Sequence, residues 1–195
     1  RRDGLGRAHR RPLIEHPNPR VLSPSEIYAG AEVHSPVLIY DDDHYVTGGA
    51  LAERYARLGL EVHLITPACK VSEWTEQTME QSRVEARLQA LGVQLWPATQ
   101  IRSVKIDLQG VRLTLASRHR WLPQALSGAT LVLLTMRDPC DALYQALLQR
   151  ESDWADAGIR SVQCLGDAWA PGTVAAAVYA GHRAARELDQ PIAET

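Results

Sequence analysis

The sequence has little of several things, and each shortage closes off a class of protein. It has 3 cysteines among 195 residues, Cys69, Cys140 and Cys164. They lie far apart and form no CxxC pair, so they build neither a disulfide framework nor a zinc or iron–sulfur ligand set, and no histidine cluster completes one. Each sits among apolar neighbours, as buried free thiols do; reduced core cysteines in a cytoplasmic protein are expected. No stretch approaches the roughly 20 continuous apolar residues of a membrane helix, and no signal peptide is visible. Charge of one sign is not in excess: 21 Lys and Arg against 23 Asp and Glu leave a net charge of −2. That balance points to neither nucleic acid nor an acidic surface as a partner. A starting Met is also lacking. The chain opens Arg1-Arg2-Asp3-Gly4, which reads as a cut or processed end, so the natural protein is expected to be longer.

What is present is 45% hydrophobic residues, enough for one compact domain or for one domain and part of another. The first 34 residues are polar and contain Arg1, Arg2, Arg7, Arg10 and Arg11. Such a run is either an anion-binding arm or a solvated extension, and the second is the commoner outcome. Ser23-Pro24-Ser25-Glu26 carries a capping-box signature, which predicts a short helix over 24–29. From Ser35 the texture changes. Val37-Leu38-Ile39-Tyr40 is a short apolar run typical of a strand buried on both faces. A turn through Asp41 to Gly49, a helix over 50–58 stopped by Gly59, and a strand over 61–65 complete a βαβ unit of about 30 residues. A helix over 75–91 is predicted next, with Met79, Val84, Leu88 and Leu91 on its buried stripe. A strand over 93–96 follows, then a hairpin of 101–107 and 111–116 about Leu108-Gln109-Gly110. Beyond it lie an apolar central strand over 130–135, a helix over 141–149, a last strand over 161–165 and an Ala-rich helix over 173–188.

Two turns carry the chemistry. The first, Tyr40-Asp41-Asp42-Asp43-His44-Tyr45-Val46-Thr47-Gly48-Gly49, stands where a dinucleotide-binding loop would stand, at the N-terminus of the first βαβ helix. Such a loop uses glycines so that phosphate can approach the backbone. Here three carboxylates take that place, able to cap the helix themselves and to repel a pyrophosphate. The acidic ribose residue expected about 20 residues on is replaced by Ile65-Thr66-Pro67. The loop therefore reads as non-binding toward NAD(P). The alternatives are a carboxylate metal site and a contact with another domain. The second turn is Gly166-Asp167-Ala168-Trp169-Ala170-Pro171-Gly172-Thr173. Gly166 permits close approach, Asp167 suits ribose or ribityl hydroxyls, and the helix that follows adds its N-terminal dipole. An ordinary strand–helix turn with Asp as a local cap is an equal reading. His182, Tyr45, Tyr144 and Tyr179 read as surface or packing residues. Trp74 and Trp169 flank the two turns. No Ser/His/Asp nucleophile arrangement is readable, since His44 beside Asp43 is mere adjacency.

Several stretches together resemble the trimethylamine dehydrogenase-like branch of the FMN/iron–sulfur NADH:flavin oxidoreductases, relatives of old yellow enzyme that include dimethylamine and histamine dehydrogenases and N-demethylases. The residues concerned are Arg1-Arg2-Asp3-Gly4, Val21-Leu22-Ser23-Pro24, Tyr40 to Tyr45 with Gly48-Gly49, Val71-Ser72-Glu73-Trp74-Thr75, Asp141 to Leu147, and Gly166 to Gly172 through Ala180-Gly181-His182-Arg183. The resemblance implies an α/β fold: a Rossmann-like βαβ parallel sheet with an antiparallel excursion, similar to the NADPH domain of disulfide reductases, plus a returning segment of an FAD-type domain. It implies an extension over 1–34 that is part of the FAD/ADP-type domain, an NAD(P)-domain-like unit over 35–138, and a returning segment over 139–195. Gly166, Asp167, Ala170, Pro171, Gly172 and Thr173 would then face an adenine nucleotide, ADP or FAD. FMN and the four-iron cluster would belong to an N-terminal barrel not contained in these residues, so no catalytic residue and no metal ligand is assigned here. The implied partners are that barrel, an electron-transferring protein acceptor and, through apolar surface left bare, further copies of the chain. The competing expectation is a stand-alone, non-catalytic Rossmann-like binding or interaction module.

Overall fold

The computed structural model describes residues 1–118 and 121–188; the last seven residues of the returning segment expected over 139–195 lie outside them. The chain divides into two compact units, Arg1–Met136 and Arg137–Thr195.

The first unit is built on a five-stranded parallel sheet. In chain order it contains β1 (Val21–Leu22), α1 (Pro24–Tyr28), β2 (Val37–Asp41), α2 (Val46–Arg57), β3 (Val62–Ile65), α3 (Gln81–Ala90) and β4 (Gln94–Trp96). These are followed by β5 (Thr99–Asp107), β6 (Gly110–Ser117), β7 (Gln124–Gly128) and β8 (Thr130–Leu134). The sheet runs β1-β8-β2-β3-β4, while β5-β6-β7 form a separate antiparallel sheet. Strand β2 pairs in parallel with β3 on one side and β8 on the other, so the order reverses at β2.

Alternation along β2 explains the layers. Val37 and Ile39 face a core shared with Leu51, Ala52 and Tyr55 of α2 and Leu88 of α3. Leu38 and Tyr40 face the opposite core, with Leu113 and Leu115 of β6. A period of two with both faces apolar yields the unbroken hydrophobic run seen in the sequence. The capping box forms as expected, Ser23 accepting from Glu26 N–H and Glu26 from Ser23 N–H.

Several expectations are corrected. Gly48 and Gly49 lie inside the first turn of α2, which starts at Val46 and not at residue 50. The helix expected over 75–91 is two pieces, a 3₁₀ turn Glu73–Thr78 and α3. Met79 separates them with φ 58 and is 84% exposed, so it belongs to no buried stripe. Strand β7 was not foreseen. The arginine-rich start is not a solvated arm. Arg7, Arg10 and Arg11 are exposed, yet the segment carrying them folds onto the sheet. Its Leu13 and Ile14 pack against the β6 side of the core, and Met136 N–H donates to Leu5 O at 3.0 Å.

The second unit contains α4 (Ala142–Leu148) and α5 (Val174–Glu187). The strand expected over 161–165 is absent; a strand needs a partner's ladder, and no described strand pairs with it. None of the described residues of this unit is buried. The cysteines also depart from expectation: Cys69 and Cys140 are exposed and Cys164 is half-buried, so apolar neighbours in sequence did not translate into burial.

Candidate functional site

The first turn sits at the carboxyl end of β2, where ligands enter open α/β sheets. Two of its three carboxylates, Asp41 and Asp42, are buried. Asp41 is fully buried, and its Oδ1 accepts the N–H groups of Asp43 at 3.1 Å and His44 at 3.0 Å. That closes a tight turn in which His44 takes φ 65, a left-handed conformation that His tolerates better than most residues. The other oxygen, Oδ2, has no hydrogen-bond partner among the described residues and is pressed against the first turn of α2. A Cβ placed on Gly48 would lie 2.6 Å from Asp41 Cγ. Gly49 is equally confined, since a Cβ there would meet Ser72 Oγ at 2.8 Å and Val84 Cγ1 at 3.2 Å. The glycines are thus consumed by internal packing. Helix α2 has no side-chain cap; the carboxylate organises the turn before the helix and does not cap it.

Asp42 is also buried, with its Oδ2 accepting Ala8 N–H at 2.9 Å. His44 lies between a carboxylate and a hydroxyl: its Nε2 is 3.5 Å from Asp42 Oδ1 and its Nδ1 is 3.3 Å from Thr66 Oγ1. Burial lifts the Asp41 pKa to about 6, against the hydrogen bonds from the turn. Burial also opposes charge on His44, but the Asp42 carboxylate and the charges of Asp41 and Asp42 outweigh it, and the pKa is raised. Among the described residues no three His, Cys, Asp or Glu side chains converge to hold a metal ion, so the metal reading of the acidic run finds no ligand set.

The second turn brings its expected residues together. Gly166 has φ 57, open to glycine, and a Cβ there would lie 3.4 Å from Ala177 Cβ on α5. Its carbonyl accepts the N–H groups of Trp169 and Ala170 at 3.0 and 2.9 Å. Asp167 Oδ1 accepts Gly172 N–H at 3.1 Å, which folds the turn back toward the helix. Thr173 is the N-cap of α5, its Oγ1 accepting Ala176 N–H at 3.3 Å. Pro171 lies between these anchors and disfavours helical backbone at residue 170. Trp169 and Tyr179 are each 69% exposed, and His182 is exposed.

Sequence reasoning missed Gly6, His9 and Thr66, which surround the first turn. Gly6 and His9 lay in a segment read as solvated, and Thr66 was read only as part of the stretch replacing an acidic ribose residue.

No family model matches the chain. It is 30% identical over 187 residues to dimethylamine dehydrogenase of Hyphomicrobium sp. (strain x), covering 88% of this chain and 25% of that protein. The structure of histamine dehydrogenase from Rhizobium sp. 4-9 matches with TM-score 0.90 and 37% identity, over 100% of this chain and 30% of that one. That of 6-hydroxypseudooxynicotine amine oxidase from Pseudomonas geniculata N1 matches with TM-score 0.82 and 30% identity, over 94% and 27%. At the level of fold alone, a flavoprotein disulfide reductase from Escherichia coli aligns with TM-score 0.50 and 16% identity, over 62% of this chain and 26% of that one. The chain therefore spans about a quarter to a third of the amine-oxidising relatives it matches. It is homologous to the C-terminal part of the trimethylamine dehydrogenase-like amine dehydrogenases, flavin-dependent oxidoreductases.

Proposed function

We propose that this chain is the nucleotide-binding-type region of a flavin-dependent oxidoreductase acting on an amine, and that it performs no redox step by itself. The observation that carries this reading is the match to histamine dehydrogenase over the whole chain. In this assignment residues 35–138 are the NAD(P)-domain-like unit. Residues 139–195 contribute to an FAD/ADP-type domain whose remaining parts, with the flavin barrel, lie upstream, while residues 1–34 fold in one unit with 35–136, β1 pairing with β8.

An adenine nucleotide, ADP or FAD, fits the donor set of the second turn. Asp167 uses Oδ1 to hold Gly172 N–H, and no described residue bonds its Oδ2, which suits a ribose hydroxyl. The 14-residue α5 presents N–H groups at its start, and Gly166 keeps the backbone bare. The nucleotide would supply binding energy and, as FAD, electron-carrying capacity; this chain's residues would bind and orient it. Electrons would leave to a protein acceptor, because the turn after β2 holds the buried carboxylates of Asp41 and Asp42 and tightly packed glycines in place of a bare phosphate loop. The test is titration of the protein, including its upstream region, with ADP. Asp167→Ala should weaken binding at least tenfold, the factor of about 1.5 kcal/mol associated with a hydrogen bond to a charged group. Unchanged ADP affinity in a folded Asp167→Ala protein would remove this turn from the site.

A further inference from the structure

The segment at the very start of the chain crosses the crevice at the carboxyl ends of the parallel strands, and four independent contacts tie it there. Ala8 N–H donates to Asp42 Oδ2 at 2.9 Å, just beyond β2. Met136 N–H, just beyond β8, donates to Leu5 O at 3.0 Å. The His9 Nε2 is 3.1 Å from the hydroxyl of Tyr40, a fully buried residue of β2. The Arg7 guanidinium carbon lies 4.3 Å above the ring of Trp74, in the segment after β3. The passage also demands a residue without a side chain: a Cβ on Gly6 would collide with Asp42 Oδ2 and lie 3.2 Å from Thr135 Cβ. A fifth bond, Gly6 N–H to His9 O at 3.0 Å, closes the segment on itself.

We propose that residues 5–9 are a resident strap that fills the switch-point crevice, the place where sheets of this topology take a nucleotide, and that Asp42 and Gly6 form its lock. Asp42 then acts first as a tether. Closure comes from occupied space, and the buried carboxylates add to it. Arg7 gives the strap a second hold on the far side of the crevice through the face of Trp74. This inference rests on the first unit alone and is independent of the nucleotide reading of the turn at Gly166.

Hydrogen exchange on the intact protein tests it. The amides of residues 6 and 8 should exchange slowly in the unmodified protein, together with those of β2 and β8. Ala8→Pro deletes the donor to Asp42, and Gly6→Ala wedges a methyl group into the lock. Each should speed exchange across the strap by ten- to a hundredfold, the span of a charge-assisted hydrogen bond, while the amides of 38–41 and 131–134 stay protected. Fast exchange at 6 and 8 in the unmodified protein, or no acceleration in either variant with the sheet intact, would overturn the proposal. If both variants lost sheet protection, Arg7→Ala, which touches only the surface of Trp74, decides. Acceleration of the strap alone supports the proposal, and none overturns it. NADH titration is the second readout: saturable binding to the unmodified protein with the strap amides still protected would show that the crevice is not filled.

Discussion

Replacing Asp41 by Asn is the sharpest test of the buried turn. The amide keeps an oxygen for the N–H groups of Asp43 and His44 and changes only the group pressed against Gly48. Burial raises the folded-state pKa of Asp41 from 3.8 to about 6. A carboxyl whose folded pKa lies above its unfolded one favours folding while both states are protonated. That contribution disappears as pH rises through the window from 3.8 to about 6. At about 1.36 kcal/mol per pH unit, the window amounts to about 3 kcal/mol. His44 acts in the same direction at higher pH, since its raised pKa contributes stability below 6.5 that is lost as pH climbs through the folded value. Asp3 and Glu26, both lowered, act the opposite way and contribute stability lost on acidification. The difference between wild type and Asp41→Asn isolates the buried carboxyl from all three, apart from the His44 coupling. Urea unfolding at a series of pH values from 4 to 7.5 should show the variant gaining about 2 kcal/mol of the Asp41 contribution relative to wild type as pH rises. An offset is expected at every pH because the new NH₂ group is buried without an acceptor. Parallel stability profiles for the two proteins would refute the argument, for they would mean that Asp41 is solvated in the folded state.

Two further outcomes follow from the packing at Gly48 and the cap at Ser23. Gly48→Ala should destabilise the first unit by about 1–3 kcal/mol through overpacking against Asp41, and in a double-mutant cycle with Asp41→Ala the two changes should be non-additive by about 1 kcal/mol or more. Ser23→Ala removes half of the capping box and should cost about 1 kcal/mol, measured as faster exchange of the α1 amides.

The βαβ frame was legible because its signals are local. Four apolar residues in a row at 37–40, Gly59 after a helical stripe and the apolar run at 130–134 each need no partner to be read. The start of α2 was not legible for a physical reason. Val46, Thr47, Gly48 and Gly49 are poor helix formers, and what selects glycine at 48 and 49 is the closeness of Asp41, Ser72 and Val84, a tertiary fact. Strand β7, Gln124–Gly128, lacks β-branched residues and gains its identity only from pairing with β6. Segment 161–165 shows the converse, with strand-like residues and no described partner. At the second turn the hydrogen bonds from Gly172 N–H to Asp167 and from Ala176 N–H to Thr173 are both local, and both suit an ordinary capped turn as well as a ligand. The strap was invisible, because an arginine-rich start with two glycines carries no pattern that reveals a fold-back onto residues 42 and 135.

The acidic run itself changes meaning once its atoms are placed. Read as sequence, Asp41-Asp42-Asp43 is one feature, a block of negative charge. In the folded chain the first two acids are separate devices. Asp41 turns the backbone and shapes a space that only Gly48 tolerates. Asp42 reaches the other way, to the backbone of Ala8. Both are buried, so little of their charge meets an approaching anion directly. On the proposed reading, neutralising them would not recreate a phosphate loop. Asp42→Gly would make the run resemble a glycine-rich fingerprint, yet it would leave Gly48 and Gly49 enclosed by Asp41, Ser72 and Val84. It would remove one tether of a strap still held by Met136, Tyr40 and Trp74. A crevice closed by packing is reopened by moving the chain that fills it, and the segment to move is the one that ends at His9.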